Sequence, residues 1–115
     1  MSASRDARKT VQEITAFLKE RLPVDAPLGA CLKFTYGDAG VVVIDGRKTP
    51  LTIHNRDEAA DCSVEIEPEI HLRLLHRELD QAVAFRQGHM RISGDVAIAV
   101  RLGPLLFSVP VSGAH

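Results

Sequence analysis

The sequence predicts one α+β domain, residues 1–115, built on a five-stranded, largely antiparallel sheet with helices over one face. Three observations lead there. Apolar residues near the start recur at helical spacing. Four short runs then carry strand-like patterns, joined by turn signals of the hairpin type. Finally, two short helical stretches, a fifth strand and a last apolar run complete the chain.

Val11, Ile14, Leu18 and Leu22 mark the first helix, with Phe17 beside them. Arg8, Lys9, Glu13, Lys19, Glu20 and Arg21 mostly fill its other face, and Pro23 ends it. Pro23 to Gly29 reads as a loop. Leu32, Phe34 and Tyr36 alternate with Lys33 and Thr35, as in a half-buried strand. Gly37 to Gly40 is a turn. Val41 to Ile44 is a β-branched run, and Asp45-Gly46 is a hairpin signal. Pro50 to His54 reads as the third strand. Asn55 to Asp61 is a polar connection. Cys62, Val64 and Ile66 alternate with Ser63, Glu65 and Glu67 to give the fourth strand.

Pro68 suits the first turn of a helix, with Ile70, Leu74 and Leu75 as its apolar stripe, Leu72 alongside, and Glu69 near the positive end of its dipole. Asp80 is placed to cap a second short helix through Phe85. His89 to Ser93 is the fifth strand, with Met90 and Ile92 inward. The last element is two-sided. Val96, Ile98 and Val100 are β-branched and allow a strand. Asp95 as N-cap and Gly103 as closing residue allow a helix.

Apolar residues make up 45% of the chain and charged residues 25%, an ordinary globular balance. The formal net charge of -1 gives no basic footprint for nucleic acid, and with no Trp and one Tyr there is no platform for stacking bases. The N-terminus lacks the apolar core of a signal peptide, and no apolar run is long enough to span a bilayer, so the expectation is a cytoplasmic protein. Cys31 and Cys62 sit in strand-like runs, where buried free thiols are expected; a disulfide between them is the alternative.

No catalytic constellation emerges. The serines lack a G-x-S-x-G context, and the glycines form no phosphate loop. His71 and His76 stand five apart and do not share a helix face, so a metal site would need residues brought together by folding, and none is expected. Glu65 and Glu67 share one side of a strand that reads as wet. The apolar positions Phe34, Val64, Ile66, Leu72, Leu75, Phe85, Ile92, Ala99 and Leu102 either fill a solid core or line a cavity.

The stretch from Phe85 to Leu102, FRQGHMRISGDVAIAVRL, resembles the C-terminal half of the sterol carrier protein 2 (SCP2-type) lipid-binding domain. Phe85, Gln87 and Gly88 match before the strand, Arg91 and Ile92 within it, and Gly94, Asp95, Ala99 and Leu102 after it. Ala60-Asp61-Cys62 and the helix from Pro68 precede these in family order. The resemblance covers roughly Cys31 to Leu102, and its specific motifs lie in the second half. It implies a helix at Val96 to Val100 and an apolar tunnel between sheet and helices.

Such a tunnel holds a fatty acid, fatty acyl-CoA, phospholipid or sterol-like ligand. A lipid tail gains about 0.8 kcal/mol per CH₂ removed from water, so an aliphatic lining binds without precise polar recognition. The resemblance thus implies a non-enzymatic, cofactor-free lipid carrier, with the apolar positions above as lining and Gln87 at the ligand's polar end. The plainer role for Gln87 is bonding to the turn backbone. The alternative function is an accessory module presenting an apolar substrate to an enzyme of lipid or quinone synthesis. The expected partners are a lipid or other apolar small molecule, with transient membrane contact and a homodimer or a partner enzyme as further options.

The sequence departs from the family pattern in three places. The hairpin is short, Arg86 replaces an expected aromatic residue, and Gly113-Ala114-His115 is not a Ser-Lys-Leu peroxisomal address. Leu105, Leu106 and Phe107 are expected to pack over the tunnel or against a second subunit.

Overall fold

The computed structural model describes residues 5–22, 28–48 and 50–99. Residues 23–27 of the expected Pro23 to Gly29 loop, the closing Gly103, Leu102 and the apolar segment Leu105 to Val111 lie outside the described residues.

Helix α1 spans Arg5–Arg21 and buries Val11, Ile14 and Leu18, with Leu22 just beyond its end. Each such side chain contributes about 1.5–3 kcal/mol. Thr10 and Thr15 are also buried. Their hydroxyls donate to the carbonyls of Asp6 (2.9 Å) and Val11 (2.8 Å) four residues back, so neither is left unsatisfied.

Strands β1 (Cys31–Thr35), β2 (Val41–Asp45), β3 (Thr52–His54), β4 (Cys62–Ile66) and β5 (Met90–Gly94) form one sheet in the order β3-β2-β1-β4-β5. A 3-10 turn, Gly37–Ala39, joins β1 to β2. All pairs are antiparallel except β1 with β4, which run parallel. The third strand is shorter than Pro50 to His54, since pairing begins only at Thr52. Helices α2 (Pro68–Leu75) and α3 (Gln81–Arg86) lie between β4 and β5 in sequence.

Register sorts the side chains between two faces. Leu32 pairs with both Ile44 and Cys62, Phe34 with Val42 and Val64, and Val64 with Ile92. These residues share the helix-side face, and all but half-buried Ile92 are buried. The other face carries Cys31, Lys33, Val43, Asp45, Ser63 and Glu65. The polar connection crosses this outer face, placing Asp57 on Lys33 (2.8 Å) and the Ala59 carbonyl near the Cys31 sulfur (3.9 Å). Its passage back over β1 lets β4 add in parallel and leaves Cys31 and Val43 fully buried.

The alternative of a Cys31–Cys62 disulfide is thereby set aside. Leu32 is the residue opposite Cys62, so Cys31 projects to the other face, and both thiols are free and buried. The stripe of α2 also differs from expectation. His71, Leu74 and Leu75 are buried, whereas Ile70 is only half-buried.

Candidate functional site

The motifs that stand apart in sequence meet at the start of β4. Asp61 exchanges backbone bonds with its surroundings: its N–H donates to the Cys31 carbonyl (2.9 Å), and its own carbonyl accepts from Asp95 N–H (2.9 Å). Its carboxylate accepts from Cys31 N–H at 2.8 Å. Gly94 closes the contact with φ +85°, where a Cβ would stand 2.6 Å from the Asp61 carbonyl oxygen. Only glycine fits both the left-handed backbone and the close approach.

Asp95 then caps a helical turn. Its carboxylate accepts from Ala97 N–H at 3.2 Å, and residues 96–99 are helical. The β-branched run therefore starts as a helix, with Ile98 and Ala99 buried. Burial raises the Cys62 thiol pKa, and a hydrogen bond from the Ala99 backbone offsets only part of that rise.

The Gln-Gly turn is a helix stop. Gly88 has φ +78°; its N–H donates to the Phe85 carbonyl (3.1 Å) and His89 N–H donates to the Ala84 carbonyl (2.9 Å). This is the Schellman pattern, with Gln87 as the exposed cap residue. The end of α2 repeats it: Arg77 N–H donates to Leu74 (3.0 Å) and Glu78 N–H to Arg73 (2.8 Å). There the left-handed position holds Arg77, at φ +63°.

Phe34, Val64, Ile66, Leu75 and Ala99 lie in one buried cluster, with Leu72 and Ile92 packed against it. Phe85 does not join them and is 54% exposed, as is Val96 at 48%. Leu102 lies outside the described residues. Beside this layer is an open cleft of about 330 Å³. Tyr36, Ile66 and Met90 supply its apolar part, and Glu65, Glu67, His89 and Arg91 its polar part. Arg91 and Glu65 approach only to 3.8 Å and are both largely exposed, so the pair contributes little.

Sequence reasoning passed over one buried polar pair. The Tyr36 hydroxyl and His71 Nδ1 are joined by a hydrogen bond of 2.8 Å, and the His71 ring packs 4.4 Å from that of Phe34. Burial pushes the Tyr36 phenol well above its ordinary pKa. The signal was present, because His71 stands three and four residues before Leu74 and Leu75 on the apolar stripe.

On the outer face, Cys31, Asp45 and Glu58 offer ligand atoms within 4.8 Å of one another, a grouping of the kind that can hold a metal. Arg47 already bridges both carboxylates, at 2.8 Å from Asp45 and 3.3 Å from Glu58. It holds the Asp45 carboxyl at a pKa of about 2, mainly through its side-chain hydrogen bonds. Burial raises the Cys31 thiol pKa, which disfavours the thiolate a metal needs. An ion would have to displace a guanidinium and ionise this thiol.

A family model described as the SCP-2 sterol transfer family matches residues 11–107. The chain belongs to this family.

Solved SCP2 structures share its fold. A sterol carrier protein domain 2 from Helicoverpa armigera matches with a TM-score of 0.69 at 19% identity, over 92% of this chain and 91% of that one. Sterol carrier protein 2 from Aedes aegypti, in complex with the C16 fatty acid palmitate, matches with a TM-score of 0.60 at 22% identity, over 90% and 96%. UbiJ-SCP2, a ubiquinone synthesis protein, matches with a TM-score of 0.59 at 18% identity, over 85% and 92%. No curated protein matches the chain. The chain is thus an SCP2 lipid-binding domain with a mixed, mostly antiparallel sheet, and its signature motifs are the joints described above. Asp61, Gly94 and Asp95 fix the helical turn at residues 96–99 against β4, and Gln87-Gly88 turns α3 into β5.

Proposed function

We propose that this SCP2 domain is a lipid carrier that takes up one aliphatic ligand between the helix-side face of its sheet and the helices. The carrying observation is a gradient of exposure across apolar residues toward the β5 edge. Val64 is buried, Ile92 is half-buried, and Phe85 in α3 is exposed. A fatty acid, fatty acyl-CoA, phospholipid or sterol-like tail would line up with Phe34, Val64, Ile66, Leu72, Leu75, Phe85, Ile92, Ala99 and Leu102. Its polar end would lie beside Gln87 and the cleft at His89 and Arg91. The layer is buried, so entry requires the turn at residues 96–99 to move aside. About fourteen methylenes taken from water are worth about 11 kcal/mol, which exceeds the roughly 8 kcal/mol of micromolar binding and leaves about 3 kcal/mol to offset ordering. The palmitate complex of the Aedes relative supports this choice of ligand class.

Native mass spectrometry of protein purified without detergent tests the reading. A bound mass in the range of a single lipid is expected, as is saturable binding of labelled palmitate or palmitoyl-CoA. Lipid-free protein that binds neither probe defeats it. The two free, buried thiols suit a reducing compartment, which supports a cytoplasmic carrier as part of this proposal.

A second reading is favoured by the likeness to the ubiquinone synthesis protein. Here the domain presents an apolar intermediate to a partner enzyme and catalyses nothing itself. Affinity capture at native expression level distinguishes it. A stoichiometric enzyme partner supports it, and recovery of the domain alone counts against it.

A further inference from the structure

Strands β1 and β4 are parallel neighbours, and their connections leave in opposite directions. From Thr35 the chain turns through Gly37–Ala39 to β2 on one side. From Ile66 it passes through α2 and α3 to β5 on the other. Diverging connections leave a crevice beyond the carboxyl ends of such strands, the place where open sheets hold ligands. The cleft of about 330 Å³ lies there: Tyr36 and Gly37 follow β1, Ile66 and Glu67 end β4, and His89 and Met90 begin β5. Its apolar residues Tyr36, Ile66 and Met90 belong to the buried cluster that contains Phe34, Val64 and Leu75. A head group can therefore sit in the cleft while its tail lies in that layer.

Four exposed side chains edge the cleft in two columns. Glu65 and Glu67 stand at the end of β4, and His89 and Arg91 at the start of β5. Glu65 pairs with Arg91 in the strand register, and one further step sets Glu67 opposite His89. Acceptors and donors are thus one strand spacing apart, about 4.8 Å. Cross-strand pairs of opposite charge are ordinary on a flat sheet surface. These instead border a concavity with an apolar base, and the Arg91–Glu65 contact stays open at 3.8 Å. Asp6 and Glu69 line a neighbouring cleft that shares Glu67, so the acidic side extends beyond its two carboxylates. A head with a single negative charge meets that side with like charge, whereas a head carrying both signs satisfies both columns.

We propose that this cleft selects lipids whose head is a zwitterion of phosphate and ammonium, with the ammonium on Glu65 and Glu67 and the phosphate on His89 and Arg91. This deepens the carrier reading and rests on it. The two-carbon link of phosphoethanolamine holds its charges about one strand spacing apart, so one head can span both columns. Its ammonium donates to carboxylates and its phosphate accepts from the guanidinium and imidazole, the stronger class of hydrogen bond. The tail supplies most of the affinity and the four polar side chains supply the choice of head.

Binding to the full chain is measured for lysophosphatidylethanolamine, lysophosphatidic acid and palmitate, all with the palmitoyl tail and below their micelle-forming concentrations. The tail is common, so differences report on the head. Lysophosphatidylethanolamine should bind about tenfold tighter than either anionic probe, the range expected of two partly exposed ionic contacts. A Glu65→Gln, Glu67→Gln variant should weaken it and at the same time tighten lysophosphatidic acid. Misfolding would weaken every probe and does not give opposite movements. Arg91→Gln should weaken both phosphate probes severalfold. Equal affinity for the three probes overturns the proposal, as does a Glu65→Gln, Glu67→Gln variant that shifts them all alike or an Arg91→Gln variant that shifts neither phosphate probe. These results leave the carrier reading standing. Free phosphoethanolamine that competes as strongly as the lysolipid also overturns the proposal, because the cleft would then serve a soluble ligand. If no probe binds, palmitate included, the carrier reading fails and the head-group selection fails with it.

Discussion

Replacing Gly94 by alanine should destabilise the domain far more than the same change at Gly88. Both glycines have left-handed φ, +85° and +78°. The strain common to both is about 1–2 kcal/mol. At Gly88 nothing lies within 4 Å of the new methyl group, so that is nearly the whole cost. At Gly94 the Cβ would meet the Asp61 carbonyl oxygen at 2.6 Å and the Cys62 Cα at 3.3 Å. Both neighbours are backbone and cannot rotate away. Relieving the contact displaces Asp61, which is bonded to Cys31 through its N–H and carboxylate and to Asp95 through its carbonyl. Losing one or two of these bonds adds about 0.5–1.5 kcal/mol each. The expected total is about 3–4 kcal/mol for Gly94→Ala against about 1–2 for Gly88→Ala. Urea unfolding measures both, and hydrogen exchange at Asp95 and Ala97 should accelerate only in the first variant. Equal losses would refute the argument that close backbone approach fixes this glycine.

Other outcomes follow from the same structure. Phe85→Ser should change stability by about 1 kcal/mol or less, since the ring is largely exposed, yet weaken labelled palmitate binding severalfold. Tyr36→Phe removes the hydroxyl bonded to buried His71 and should cost about 1–3 kcal/mol in denaturant unfolding. Tyr36 is the chain's single tyrosine, so ultraviolet titration reports on it alone. Its phenol pKa is raised in the folded state, so the folded protein keeps a proton that the unfolded chain loses. Stability should fall as pH rises above about 10, with phenolate absorbance appearing together with unfolding. Asp45 has the opposite sign. Its carboxyl pKa is lowered from 3.8 to about 2 by Arg47, so the pair's contribution is present above pH 4 and lost as pH falls toward 2. Screening at this exposed site should keep that loss under about 1 kcal/mol, as acid titration of wild type against Arg47→Gln would measure.

Much of the fold could be read from residue order because its rules are local. Alternation in Leu32–Phe34–Tyr36 and Cys62–Val64–Ile66 marks strands whose two faces see different surroundings. Asp80 and Asp95 announce helix starts, and Gly88 a helix end, because each satisfies a backbone group a few residues away. The candidate lining was legible as a set of apolar positions, and the gathering of Phe34, Val64, Ile66, Leu72, Leu75, Ile92 and Ala99 in one layer follows from strand period and helix spacing.

The amino-acid sequence by itself determined the elements, their caps and the family they belong to, since these depend on contacts within a turn or a strand period. The tertiary structure decided what depends on elements distant along the chain. It set β4 parallel to β1, which sends the connection over the outer face and buries Cys31 and Val43 there. It paired Tyr36 with His71 across sheet and helix, and it left Phe85 exposed although its neighbours in the motif are joints of the core. The β-branched run after Asp95 lies between the two. Propensity allowed strand or helix, and the docking of Asp95 and Ala99 on Asp61 and Cys62 selected the helix at residues 96–99.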